Sequence, residues 1–200
     1  MAISLPKFSR SVILIAVSGL AASAAGPHLG LQALVSEPTG SMRSQFTDRT
    51  GYGVGVFADW DVSDQASLRI GYDATFYPGA QDNLLIPGLA ATSASNDRKF
   101  SSGTLSCQFL QFPGLRGEGF YWMVGAGATK QIEKTHSTAD LNNHTVLALS
   151  TSQDTGTRLA LMAGLGFEYN RNWGVFARYT FSTVDAHTIG ALQGGLSYRF

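Results

Sequence analysis

Ser67-Leu68-Arg69-Ile70-Gly71-Tyr72-Asp73-Ala74-Thr75-Phe76 alternates without a break. Leu68, Ile70, Tyr72, Ala74 and Phe76 share one parity, and Ser67, Arg69, Gly71, Asp73 and Thr75 the other. A strand sends successive side chains to opposite faces, so this segment reads as a strand with one apolar face and one small, polar face. Upstream, Tyr52, Val54, Val56, Ala58, Trp60 and Val62 alternate with Gly53, Gly55, Phe57, Asp59 and Asp61. Downstream, Leu105, Cys107 and Phe109 carry the apolar parity of a segment from about Lys99 to Phe112. The rows Phe120, Trp122, Val124, Ala126, Ala128 and then Leu159, Leu161, Ala163, Leu165, Phe167, Tyr169 follow. Two more run through Trp173, Val175, Ala177, Tyr179, Phe181 and through Leu192, Leu196, Tyr198, Phe200. With a weaker first strand through Leu29, Leu31, Ala33 and Val35, eight strands are expected.

The spacers alternate in length. Short ones lie at Ser63-Asp64, Pro113 to Glu118 and Asn170-Arg171-Asn172, and are rich in turn formers. Long ones are expected at about Glu37 to Thr50, Pro78 to Asn96 and Glu133 to Thr155, with a shorter last one at Asp185 to His187.

A soluble sheet also alternates, so the occupants of each face decide the environment. Aromatic residues such as Tyr52, Trp60, Phe120, Trp122, Tyr169, Trp173, Tyr179 and Phe181 sit towards the ends of the apolar rows, as interfacial girdles require. The other face is glycine-rich with few charges, suited to a narrow lumen filled by small side chains. In hydrocarbon a sheet satisfies its backbone only by closing on itself. The expected fold is therefore all-β: an eight-stranded antiparallel transmembrane β-barrel, an up-and-down meander, with short turns on the periplasmic side and long loops outside.

Composition agrees. Of 200 residues only 14% are charged, well below the roughly 25% usual in soluble domains. Fourteen basic and 14 acidic residues leave no basic stripe for a nucleic acid. Cys107 is the one cysteine, which excludes an intramolecular disulfide framework and a multi-cysteine metal site. At the amino terminus Lys7 and Arg10 precede an apolar run from Val12 to Ala22 and the small residues Ala22-Ser23-Ala24, the order of a secretory signal peptide. Residues 1–24 are expected to be the signal peptide and residues 25–200 the barrel domain. Losing Lys7 and Arg10 leaves two fewer basic than acidic residues, a mature charge of about −2.

The ending Gly194-Gly195-Leu196-Ser197-Tyr198-Arg199-Phe200, with Leu196, Tyr198 and Phe200 on alternate positions, resembles the carboxy-terminal signal read by the bacterial barrel-assembly machinery. The chain as a whole resembles the small eight-stranded outer-membrane proteins of the OmpA transmembrane-domain and OmpX type. Val184-Asp185-Ala186-His187-Thr188, followed by the terminal strand, is similar to the endings of small porin-like surface proteins of proteobacteria. The resemblance implies location in the bacterial outer membrane and contact with its lipid and lipopolysaccharide. It also implies handling by the assembly machinery, a monomeric state, and a host or surface ligand taken by the external loops. No cofactor and no metal are expected.

Arg69, Asp73, Arg158, Glu168, Arg178 and Arg199 fall on the inward parity, where a charge is costly unless paired or hydrated. They are expected to form a lumen network centred on Glu168 and Arg178, near one short turn; a hydrated, loosely paired lumen is the alternative. Ser182, Asp185 and His187 gather near the last external loop, where a serine nucleophile, aspartate and histidine base would suit hydrolysis. The outer-membrane lipid A deacylases, however, carry a His-x-Ser pair on a late strand, and here that register reads Thr180-Phe181-Ser182. His28, His136 and His144 are isolated, and Cys107 shares the apolar parity as a small hydrophobe. Three functions remain. The leading one is a non-enzymatic envelope and adhesion-like surface protein; a narrow porin for small solutes comes next, and a lipid A-modifying hydrolase last.

Overall fold

The computed structural model describes residues 26–40, 42–43, 49–83, 91–114, 118–141, 146–184 and 187–200. The expected signal peptide, residues 1–24, therefore lies outside the described residues. Eight strands follow in order: β1 (His28–Gly40), β2 (Gly51–Ser63), β3 (Ala66–Asn83), β4 (Ala91–Gln111), β5 (Gly119–Leu141), β6 (Val146–Glu168), β7 (Trp173–Val184) and β8 (His187–Arg199). Each pairs antiparallel with its sequence neighbours, and β1 pairs with β8, closing the barrel.

The two parities separate as the sequence dictates. Leu29, Val54, Tyr72, Leu105, Val124, Leu165, Val175 and Leu196 face outward and are exposed, whereas Gln32, Asp59, Arg69, Thr75, Gln108 and Arg178 are buried within. Cys107 is exposed on the outer wall. Inside a barrel this narrow, aromatic rings need gaps beside them: Gly30 lies against the Phe57 ring and Gly166 against Tyr121, where a Cβ would overlap the rings.

One end of the barrel holds the short turns. Asn170 Oδ1 accepts from the backbone N of Asn172 at 2.9 Å and of Trp173 at 2.8 Å, an Asx turn between β6 and β7. The last residues are tied down beside it. Arg199 N donates to Asn172 O at 2.7 Å, and Phe200 N to Leu29 O at 2.9 Å.

At the other end the structure corrects the expected loops. The stretches Pro78 to Asn96 and Glu133 to Thr155 are mostly strand: β3 continues to Asn83, β4 begins at Ala91, β5 runs to Leu141 and β6 starts at Val146. Beyond the lipid-facing rows both faces of a sheet meet water, so the apolar alternation stops although the hydrogen-bonded ladder continues. Bulges mark the transition. The β3–β4 register shifts between Tyr77 and Ala80, across Pro78-Gly79. The β5–β6 register shifts between Lys130 and Ile132, opposite Gly156, whose φ of 79° a side chain would disfavour.

Candidate functional site: a filled lumen beneath extended strands

Asp59, near the end of β2, faces inward at 0% exposure. Arg69 on β3 approaches it as a fork, with Nε 2.7 Å from Oδ1 and Nη2 2.9 Å from Oδ2. Arg199 on β8 adds Nη2 at 2.9 Å and Nε at 3.2 Å to Oδ2, and its Nη2 also donates to Glu168 Oε1 on β6 at 2.6 Å. Two carboxylates thus meet two guanidiniums, and the Arg69 guanidinium lies 3.9 Å over the Phe57 ring. A second group sits deeper. Arg178 on β7 donates to Asp73 Oδ2 on β3 and, through Nε, to Gln193 Oε1 on β8 at 2.8 Å. Gln32 on β1 donates to Asp73 Oδ1. Both groups are charge-balanced, the condition under which buried ions are tolerated.

Apolar packing fills the space around them. Leu34, Leu110, Phe112, Tyr121, Met123 and Phe176 form one buried cluster towards the short-turn end. Met42, from the β1–β2 connection, joins Tyr77, Phe100, Ile189 and Ala191 in a second at the opposite mouth. Tyr77 is held by Ser36, Oγ to Oη 2.7 Å. Below Met42 lies a cavity of about 30 Å³ lined by Ser102, Thr104, Thr129, Gln131 and Thr180 among others, room for about two waters.

Of the six charges singled out in the sequence, five are buried and joined as described, but not around Glu168 and Arg178. Register separates those two: Glu168 stands opposite Gly174, whereas Arg178 stands opposite Gly164. Glu168 meets Arg199, Arg178 meets Asp73, and the carboxylate shared by two arginines is Asp59. Its inward parity at the end of an alternating segment was the available signal. Arg158 is half-buried on β6 opposite Thr129, about 33 Å along the strand from Glu168.

Ser182 is buried in β7 opposite Ala160 and Ile189. Asp185 lies outside the described residues, so the Ser182, Asp185 and His187 grouping has no described geometry. His28 opens β1, its Nε2 3.6 Å from Asp61 Oδ2; His136 is exposed on β5; His144 lies outside the described residues. At the carboxy terminus Leu196 and Phe200 are exposed on the outer wall, and Tyr198 packs against Trp173 and Phe200 with centroids 4.8 and 5.4 Å away.

A closed eight-stranded barrel with an apolar outer wall and a polar, filled interior defines a protein of the bacterial outer membrane. The chain matches the family of the outer membrane protein beta-barrel domain over residues 11–200, and it belongs to that family. Among solved structures it is similar to Ail, the attachment invasion locus protein of Yersinia pestis, at 19% identity and a TM-score of 0.54, over 88% of this chain and 99% of that one. It is similar to the N-terminal β-barrel domain of Pseudomonas aeruginosa OprF at 16% identity and 0.50, over 86% and 97%. A major outer membrane protein of Thermus thermophilus gives 16% and 0.51, over 88% and 100%. At these identities the likeness is one of fold. No curated protein matches the chain.

Proposed function

We propose that this protein is a non-enzymatic, monomeric scaffold of the outer membrane that supports the envelope and presents its external strands and loops to a host or surface ligand. The observation that carries the reading is the division of the barrel. Its lumen holds two charge-balanced networks and an apolar cluster towards each end, while β3 to β6 extend past the lipid-facing rows. A filled lumen weighs against the narrow-porin reading, and the burial of Ser182 weighs against a hydrolase acting through it. Lipid and lipopolysaccharide contact the outer wall. Leu196, Tyr198 and Phe200, on the outward parity of the terminal strand and its end, are the positions that the assembly machinery would read during insertion.

The test is adherence of bacteria carrying the intact chain, or a form in which residues 133–153 are replaced by a short turn, to cultured epithelial cells and to polystyrene. Resistance to detergent is measured in parallel. Trimming is expected to reduce adherence and leave detergent resistance intact; equal adherence of the two forms would overturn the surface role.

A further inference from the structure

The outer wall of a closed barrel curves away from its surroundings, so a hollow on it has to be made by the sizes of side chains. One such hollow, of about 510 Å³, lies over β1 and β2. Leu31, Ala33, Val54 and Val56 form its floor, with Trp173 and Tyr198 on one bank and Tyr72 on the other. Strand register lines these residues up. Tyr198 pairs with Leu31, Leu31 with Val56, and Val56 with Tyr72, so one row crosses the hollow from bank to bank. In the adjoining row Ala33 pairs with Val54 and Val54 with Ala74, and the two alanines lower the floor.

Both banks are held back by packing of their own. The Tyr72 hydroxyl lies 2.6 Å from where a Cβ on Gly103 of β4 would stand, so the ring leans over β4 and away from β2. Tyr198 is packed between Trp173 and Phe200, with centroids 4.8 and 5.4 Å away. The hollow is therefore present without any side chain having to move.

Its chemistry names the occupant. Gln32 and Ser197 border it but are buried on the inward parity, which leaves aliphatic side chains and aromatic rings as its surface. Its volume falls within the roughly 300–1,000 Å³ of ligand sites, and a lining of this kind takes a hydrocarbon chain. Trp173 opens β7 and Tyr198 is next to last in β8, so the hollow belongs to the short-turn half of the wall, which faces the periplasmic leaflet. At the end of the Trp173 bank Arg171 stands exposed in the β6–β7 turn. The nearby charges His28 and Asp61 face each other at 3.6 Å. A cation at the membrane surface favours an anionic headgroup.

We propose that this hollow is a binding site for an anionic phospholipid of the periplasmic leaflet, with one acyl chain over Leu31, Ala33, Val54 and Val56 and the phosphate against Arg171. It lies at the opposite end of the barrel from the external strands and is independent of the surface reading above.

The probe is phosphatidylglycerol brominated on its chains, a minor component of phosphatidylcholine vesicles that hold refolded residues 25–200. Bromine quenches tryptophan on contact. Emission is read from Trp173 alone, in Trp60→Phe/Trp122→Phe, and from Trp122 alone, in Trp60→Phe/Trp173→Phe. Trp122 lies outward on β5, across the barrel, and reports the bulk lipid. Each signal is scaled to its quenching in wholly brominated phosphatidylcholine, and every form is required to keep its heat-shifted gel mobility. Scaled quenching at Trp173 is expected to exceed that at Trp122 at least about twofold. Ala33→Phe, which fills the floor, and Arg171→Gln, which removes the cation, are each expected to abolish the difference. Ala74→Phe fills the hollow from the β3 side should Ala33→Phe not fold. Equal scaled quenching of the two tryptophans would mean freely exchanging lipid only and would overturn the proposal. A difference that survives the filled floor or the loss of Arg171 would overturn it as well. Dimers cross-linked in the vesicles and lost in Ala33→Phe, without any preference at Trp173, would give the hollow to a second copy and overturn the lipid assignment.

Discussion

Arg199 on the last strand reaches across β1 to Asp59 on β2, Nη2 to Oδ2 2.9 Å, and so ties together the two strands that flank the closing strand of the barrel. The same guanidinium holds Glu168 at 2.6 Å. The terminal strand is thereby fixed from inside as well as by its pairing with β1 and β7.

Asp59→Asn keeps the shape of the side chain but leaves Arg69 and Arg199 without their shared charge. Breaking a buried pair in this way costs about 3–5 kcal/mol. The heat-shifted gel mobility of the refolded barrel in detergent is expected to be lost at a clearly lower temperature. Glu168→Gln is expected to lower it less, because Glu168 Oε2 has no protein partner and the bond to Arg199 can persist through a neutral oxygen. Equal effects of the two substitutions would contradict the position of Asp59 at the centre.

Asp73 and Arg178 form a pair separate from Glu168. A double-mutant cycle on Asp73→Ala and Arg178→Ala is expected to give a coupling of about 0.5–3 kcal/mol, and a cycle on Glu168→Ala and Arg178→Ala a coupling near zero. Urea unfolding from lipid vesicles measures both.

How far the sequence was legible follows from these residues. Alternation identified the outer wall from Tyr52 to Phe200 because lipid imposes a period of two on every strand it touches. It also placed Arg69, Asp73, Glu168, Arg178 and Arg199 inside, since parity decides the face. Parity alone is silent on which inward charges meet. That depends on strand register around the closed wall, which sets Arg178 opposite Gly164 and lets Asp59 collect two arginines. The strands beyond Tyr77 and Lys130 escaped for a related reason. Water on both faces removes the period by which strands are recognised, so Ser- and Thr-rich stretches such as 91–96 and 146–155 read as loops.

Gly166 gives the Tyr121 ring its place in the lumen, and Tyr121 is 1% exposed. Gly166→Ala is expected to destabilise the barrel by about 1–3 kcal/mol through overpacking. Tyr121→Ala in the same chain should recover part of that loss, because the ring is the obstacle; a strictly additive double variant would contradict the contact.

The apolar outward row of β6 ends at Leu159, and the next outward position is Thr157, so the edge of the hydrocarbon is expected between the two. Leu165→Arg, in the middle of the apolar row, is expected to cost about 2–4 kcal/mol in refolding equilibria from vesicles, and Thr157→Arg no more than about 1 kcal/mol. Equal costs would place the boundary elsewhere.

Planar-bilayer recording of purified, refolded residues 25–200, with Arg178→Ala beside it, tests most directly whether the lumen is closed. A barrel plugged by the Asp59 and Asp73 networks and capped at Met42 predicts a flat current from protein that is folded by its heat-shifted mobility. Discrete conductance steps from that folded wild type, altered in the Arg178→Ala variant, would contradict it and establish a path through the interior.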